Sequence, residues 1–256
     1  MEKERIQKLI AGSGFCSRRA AEKLIEQGAV KVNGRKASIG DKAAKNDSIT
    51  INGKKLDFKK EKRYIKLYKP RGYTTSMSDV HGKKLITELL KGINERVYPV
   101  GRLDKDSEGL ILLTNDGDFT NKITHPREKI RKKYRVTLPH IISEEIIARL
   151  SNGVNIGKDG ETEITAPCEI NVLSQTKAQN PEQKARTVLE FIITEGKNRQ
   201  IRRMCAAAGL EVSRLKRTSV GGVKLGMLQP GEYADLNEKE LRLLGFERNK
   251  KYNKNK

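Results

Sequence analysis

The sequence predicts an α+β protein in which a small basic N-terminal module precedes a larger domain of mixed strands and helices. Two observations predict this. The first sixty residues hold two short apolar-faced helices followed by paired Asn-Gly turns. From Tyr64 onward, strand-like and helix-like stretches follow one another without the regular alternation that a βαβ fold requires. A chain of 256 residues also exceeds one average domain, which allows a small unit beside a larger one.

The N-terminal elements are marked by their caps. In "ERIQKLIAGSG" the residues Ile6, Leu9 and Ile10 share one helical face, and the helix stops at Gly12. In "SRRAAEKLIEQG" Ser17 stands as N-cap, Ala21, Leu24 and Ile25 are apolar, and Gly28 occupies the C-cap region. "VKVNGRKA" and "ITINGKKL" then read as strand pairs joined by Asn-Gly turns. So small a module does not build a robust core alone, so it reads as an appended binding unit over residues 1–58. Residues 59–63, "KKEKR", form a hydrophilic linker.

Residues 64–247 make the larger domain. "YIKLYKP", "YPVGRL", "GLILLTN", "YRVTL", "CEINVL" and "TVLEFIITEG" are expected as strands. "KLITELLKG", "SEEIIARLSNG", "RQIRRMCAAAG" and "NEKELRLLG" are expected as helices, the last with Asn237 as cap and Glu240 completing a capping box. Residues 248–256, "RNKKYNKNK", are expected to be a disordered basic tail.

Charge narrows the function. The chain carries a formal +21, so its expected partner is a polyanion. Residues 1–63 hold 17 Lys/Arg against 8 Asp/Glu, leaving +9; the other 193 residues hold 36 against 24, leaving +12. The smaller part is therefore the more densely charged, which favours nucleic acid contact there. No run approaches a membrane span and the N-terminus has no apolar signal segment, so a cytoplasmic protein without membrane contact is expected. Cys16, Cys168 and Cys205 are far apart, as are His81, His125 and His140, so neither a disulfide framework nor a metal site is expected.

One acidic stretch stands out against this background. "GRLDKDSEGLILLTN" places Asp104 and Asp106 among Arg102 and Lys105 at the mouth of an apolar segment. It copies the start of a calcium loop, but Leu110, Ile111 and Leu112 then replace ligands and Asn115 stands where a bidentate Glu is needed. From the residues alone, Asp104 or Asp106 could equally cap a turn. In "EGKNRQIRRMCAAAGL", Ile201, Met204, Cys205 and Ala208 share one helical face, with Arg199, Arg202 and Arg203 opposite. Like charges at that spacing repel, so an anion nearby is expected, either phosphate or a carboxylate such as Asp104. Arg202 lies nearest the apolar boundary and is expected to turn inward.

These motifs carry two resemblances. Residues from "RIQKLIAGSGFCSRRAAEKLIEQGAVKVNGRKA" resemble the alpha-L RNA-binding motif found in the fourth protein of the small ribosomal subunit. The resemblance implies that Arg18, Arg19, Lys31 and Arg35 face structured RNA. "PVGRLDKDSEGLILLTNDGDF", "KKYRVTL" and "EGKNRQIRRM" together resemble the ribosomal RNA pseudouridine synthases of the branch containing RsuA, RluB, RluE and RluF. That resemblance implies a mixed, mainly antiparallel sheet with flanking helices, and isomerisation of uridine to pseudouridine without cofactor or metal. It implies Asp104 as catalytic carboxylate, Arg202 as its ion-pair partner and Tyr134 as the ring that stacks on the base, although a plain core tyrosine also fits the alternation of Tyr134, Val136 and Leu138. Arg102, Leu103 and Arg199 are expected to support that site, and Arg203 to hold RNA.

The substrate so implied is large-subunit rRNA, free or in a ribosome-assembly intermediate, with the enzyme acting as a monomer. A small-subunit rRNA target, a nuclease, or a non-catalytic RNA-binding assembly factor remain the alternatives.

Overall fold

The computed structural model describes residues 3–58, 61–77, 82, 84–178 and 185–247. Lys59 and Lys60 of the linker stretch, His81, and the basic tail at 248–256 lie outside these residues. The chain divides into two compact units: 1–63 with 93–98 and 114–117, and 64–92 with 99–113 and 118–256.

In the first unit, strand β1 (Glu4–Arg5) runs into helix α1 (Ile6–Gly12), and helix α2 (Arg18–Glu26) follows after a short turn. The Ser17 hydroxyl accepts the Ala20 N–H at 3.1 Å, as the N-cap pattern requires. Strands β2 (Val30–Val32) and β3 (Arg35–Lys36) form one hairpin. After β4 (Lys42–Ala43), which pairs with β1, strands β5 (Ile49–Ile51) and β6 (Lys54–Lys55) form another. Both hairpins turn on Asn-Gly pairs with positive φ, 50° and 82° at Asn33-Gly34 and 49° and 78° at Asn52-Gly53. Ile6, Leu9 and Ile10 of α1 pack with Ala21 and Ile25 of α2 and with Val30, Ile49 and Ile51 of the sheet.

The second unit is built on nine strands. Its path opens with β7 (Tyr64–Lys69), β8 (Tyr98–Val100) and β9 (Glu108–Thr114), and continues with β10 (Lys132–Leu138), β11 (Glu169–Thr176) and β12 (Arg186–Ile193). It closes with β13 (Arg214–Val220), β14 (Val223–Lys224) and β15 (Tyr233–Asp235). The strand order is β11-β12-β10-β13-β9-β7-β15, with β14 on β13 and β8 on β9. Between β13 and β9 the pairing is parallel; β11–β12, β12–β10, β10–β13 and β7–β15 are antiparallel. The sheet is thus mixed and mainly antiparallel.

Every residue of β9 is buried, so this strand is covered on both faces. Helix α3 (Gly117–Thr124) buries Phe119 and Ile123, and helix α6 (Glu238–Leu243) buries Leu241, against Tyr64, Tyr68, Leu110 and Leu112. Phe119 meets Tyr64 and Phe246 at ring separations of 5.0 Å, in edge-to-face geometry. Helices α4 (Glu144–Ser151) and α5 (Gln200–Ala207) lie between these in sequence, and α5 buries Ile201, Met204 and Cys205 as its periodicity predicts. Asn237 and Glu240 form the expected capping box, at 2.9 and 3.1 Å. No helix among the described residues is long and apolar enough to cross a membrane.

Two expectations are corrected. "YPVGRL" is a strand only to Val100, because Gly101 at φ 78° turns the backbone out of the ladder. "KLITELLKG" is a single 3-10 turn, Ile86–Leu89, because Leu85 is engaged in a bridge with Thr74 and Gly92 takes a positive φ three residues after the turn. Helix α3 and strands β13 to β15 were not expected.

Close strand pairing makes one glycine indispensable. Gly109 has φ 108°, and a Cβ there would meet the Arg217 carbonyl oxygen at 2.2 Å. Gly109→Ala is therefore expected to destabilise the protein by at least about 2 kcal/mol, from overpacking together with backbone strain. Urea denaturation measures it; an unchanged midpoint would show that β13 shifts freely.

Candidate active site

The loop between β8 and β9 is held through its backbone at four residues, two on each side of Asp104. The Arg102 carbonyl accepts from Arg217 Nη1 at 3.4 Å. Leu103 is gripped on both sides by one hydroxyl: its N–H donates to Thr75 Oγ1 at 3.2 Å, and that hydroxyl donates to its carbonyl at 2.7 Å. The Lys105 carbonyl accepts from the Gly72 N–H at 2.7 Å, and the Asp106 carbonyl accepts from Arg202 Nη2 at 3.2 Å. Gly72 is placed in turn by Lys69, the last residue of β7. Its ammonium is fully buried and donates to the Pro70 and Tyr73 carbonyls at 3.0 and 2.8 Å, closing the turn that carries Arg71 and Gly72.

The two carboxylates on this loop have different surroundings. Asp106 accepts both terminal nitrogens of Arg199, at 3.1 and 3.0 Å, in a bidentate pair. Its Oδ2 also lies 3.1 Å from Arg202 Nε, an ion contact in which that nitrogen makes no hydrogen bond. Burial pushes the Asp106 carboxyl up, but the Arg199 hydrogen bonds and the Arg202 charge outweigh it and leave it below its ordinary range. Burial likewise pulls the Arg202 guanidinium down, while the bond to Asp106 holds Arg199 up.

Asp104 has no such partner. Its Oδ2 is 3.8 Å from Arg199 Nη1, and its side chain is 26% exposed. The expected ion pair is thus corrected: Arg202 pairs with Asp106, and the cation nearest Asp104 is Arg199. Arg199, the N-cap of α5 with a left-handed backbone at φ 47°, binds Asp106 and reaches Asp104 from there.

Tyr134 lies on β10, 8% exposed, directly between Phe191 of β12 and Arg217 of β13 in the strand register. Its hydroxyl accepts from Arg217 Nη1 at 3.4 Å. A shallow cleft of about 360 Å³ is lined by Arg71, Gly72, Lys105, Asp106 and Arg199. Beside it, Glu108 is buried and bound by Arg214 Nε and by the Tyr68 hydroxyl, the latter at 3.1 Å.

Comparisons with known proteins bear on this arrangement. Residues 63–207 match the family model for RNA pseudouridylate synthase, and residues 4–49 match that of the S4 domain. The chain is 41% identical over 242 residues to ribosomal large subunit pseudouridine synthase B of Bacillus subtilis, covering 94% of this chain and 95% of the relative. This chain belongs to the RNA pseudouridylate synthase family. Another member, the dual-specificity RNA pseudouridine synthase RluF of Escherichia coli, is 38% identical, over 93% of this chain and 77% of its own. A crystal structure of a pseudouridylate synthase superposes with a TM-score of 0.67 at 32% identity, over 94% of this chain and 99% of that one. The enzyme is accordingly a pseudouridine synthase, an isomerase, with an N-terminal S4 domain.

The remaining residues singled out in the sequence differ in their surroundings. Arg102 is exposed and Leu103 buried. In the S4 domain Arg18, Arg19, Lys31 and Arg35 are all exposed. Arg203 is corrected: Glu163 holds it at 2.6 Å and the Ile156 carbonyl accepts from it, so its charge is consumed within the synthase and not offered to RNA. Sequence reasoning missed Lys69, Thr75, Asp106 as the arginine acceptor, and Arg217. The signal for Arg217 was an arginine alternating with Leu215 and Ser219 on an inward strand face, hidden because "RLKRTSV" does not read as a strand.

The buried Lys69 makes the synthase's stability depend on pH. Burial pulls its ammonium down to about 8 from 10.5, and the Asp106 and Asp104 charges offset only part of that. Because the folded value is the lower, the unfolded chain holds more protons between these two values, and this residue makes stability rise with pH through that window. Urea denaturation from pH 8 to 10.5 is expected to show wild type gaining stability relative to Lys69→Met. Parallel curves for the two proteins would contradict it.

Proposed function

We propose that this synthase isomerises a uridine of large-subunit ribosomal RNA, free or in an assembly intermediate, with Asp104 as the catalytic carboxylate. The name of the Bacillus subtilis relative supports the choice of RNA. One observation carries the role of Asp104: beside an Asp106 that takes both arginines, it keeps its carboxylate oxygens uncommitted on a backbone held on either side. An ionised carboxylate so placed can attack C1′ or take the C2′ proton without prior deprotonation.

Supporting roles follow from what each side chain touches. Arg199 lies within reach of Asp104 and fixes Asp106, so it supplies the positive field beside the reacting acid. Arg202 is a positioning residue, acting through the Asp106 carbonyl and carboxylate. Tyr134 offers its ring to the extruded base, and its place beside Arg217 supports that reading over a purely structural one. Residues 1–58 grip structured RNA through Arg18, Arg19, Lys31 and Arg35, and residues 64–247 perform the chemistry. We infer action as a monomer in the cytoplasm. Extracting the uridine costs about a few kcal/mol, which phosphate contacts offset at the expense of strong salt dependence.

Asp104→Asn tests the central assignment. It is expected to lower the single-turnover rate on rRNA transcripts by about 10²–10⁴-fold with RNA affinity retained. In cells lacking the gene, rRNA mapping is expected to show a missing pseudouridine that wild type restores and Asp104→Asn does not. Restoration by Asp104→Asn would remove Asp104 from the chemistry. For the S4 domain, Arg18→Ala with Arg19→Ala is expected to weaken binding and flatten the salt slope by about 2. An unchanged slope in filter binding would place these arginines away from phosphate.

A further inference from the structure

Arg217 is a buried cation that the pairing network described above does not balance. It is 4% exposed, yet among the described residues no carboxylate forms an ion pair with it. Its Nε donates to the Leu110 carbonyl at 2.6 Å, and Nη1 is shared between the Arg102 carbonyl and the Tyr134 hydroxyl. Its Nη2 is buried with no hydrogen-bond partner. Two further cations feel its charge: burial, then Arg217, lowers Lys132, and Arg217 also counts among the groups lowering Lys69.

Such an arrangement is unfavourable in the resting protein. A buried charge without a counter-charge, and an orphaned N–H on the same group, both cost stability, and a fold retains them where an anion is to be received. The register specifies the place. Arg217 is directly opposite Tyr134 on one side and Gly109 on the other. Cross-strand partners share a face, and Gly109 places no side chain between the guanidinium and the strand that carries Leu110. The guanidinium carbon lies over the Tyr134 ring, 6.0 Å from its centroid, so it adjoins the ring proposed to meet the base.

We propose that Arg217 is a catalytic residue that receives the negative charge of the detached uracil, its Nη2 donating to a carbonyl oxygen of the base. This rests on the reading of Asp104 given above. If the Asp104 carboxylate attacks C1′, an oxygen lone pair forms the C1′–O bond and the C1′–N1 pair departs with the base. If it instead removes the C2′ proton, the C2′–H pair becomes the C1′=C2′ bond and the C1′–N1 pair departs in the same way. Either route leaves a uracil monoanion with its charge spread over N1, O2 and O4. A preorganised donor aimed at charge that appears only during reaction lowers the barrier more than it tightens ground-state binding. When a C5 electron pair forms the new bond to C1′, either the C1′–O pair returns to Asp104 or Asp104 gives its proton back to C2′; the base is then neutral, the C5 proton is exchanged for one on N1, and Arg217 returns to its unpaired state.

The basicity of the leaving base provides the test. Wild type, Arg217→Gln and Arg217→Lys are compared in single turnover on an rRNA transcript made with uridine and on one made with 5-fluorouridine, following loss of the parent nucleoside. Filter binding and urea denaturation are run beside them. Arg217→Gln is expected to slow the uridine reaction by about 10²–10³-fold with RNA affinity retained. It is expected to slow the 5-fluorouridine reaction clearly less, because fluorine already stabilises the departing anion. Arg217→Lys keeps a cation and is expected to fall between the two proteins; it also decides the question if Arg217→Gln is unfolded. Equal slowing of both transcripts would overturn the proposal and leave Arg217 as a strut for Tyr134 and the loop. Wild type that converts neither transcript would instead overturn the assignment of the reaction itself.

Discussion

The bidentate bond from Arg199 to Asp106, with Arg202 at the same carboxylate, is the interaction on which the rest of this centre depends. Two arginines at the start of one helix repel each other, and Arg202 also loses hydration as it is covered. A carboxylate that satisfies both removes the penalty and anchors α5 to the loop between β8 and β9. It also divides labour between two aspartates two residues apart. Asp106 is committed to structure, and Asp104 is left with no partner closer than Arg199 at 3.8 Å. The acid proposed to react is thus the one that the surrounding charges do not bind tightly.

Around that pair the loop is held mostly by backbone contacts. Thr75, Gly72, Arg202 and Arg217 each take a carbonyl or N–H of the segment from Arg102 to Asp106. Hydrogen bonds to the main chain fix where Asp104 stands without occupying its side chain. A catalytic group in a polar loop needs that combination, since precision of about an ångström has to coexist with uncommitted oxygens. Lys69 extends the same logic one layer outward, its ammonium closing the turn that presents Gly72.

Much of the fold was legible because its signals were local. Ser17 and Asn237 were readable as caps, the Asn-Gly pairs as turns, and the apolar runs of β7, β9 and β12 as buried strands. The aspartate of the Arg102–Asp106 stretch and the arginines of α5 were visible as an unusual charge pattern. What escaped was whatever depended on register. The partner of Arg202 could not be read, because Asp104 and Asp106 stand two positions apart in the same loop. Strand β13 escaped because three cations and two hydroxyls mask its alternation, and with it went Arg217. Helix α3 was not read, although Phe119 and Ile123 carry the spacing of a helical face. Arg203 was assigned to RNA from its position on the helix, while the residue that claims it, Glu163, lies forty positions away.

That long-distance wiring has a consequence for when the protein becomes active. The tether from Arg202 to the Asp106 carbonyl spans 96 positions, and those from Arg217 to Arg102 and to Tyr134 span 115 and 83. No stretch emerging early from the ribosome contains both ends of these tethers. Until the chain has been made through Arg217, the loop from Arg102 to Asp106 lacks these fastenings. The order of synthesis thus makes strand β13 a late fastener of a loop made more than a hundred residues earlier.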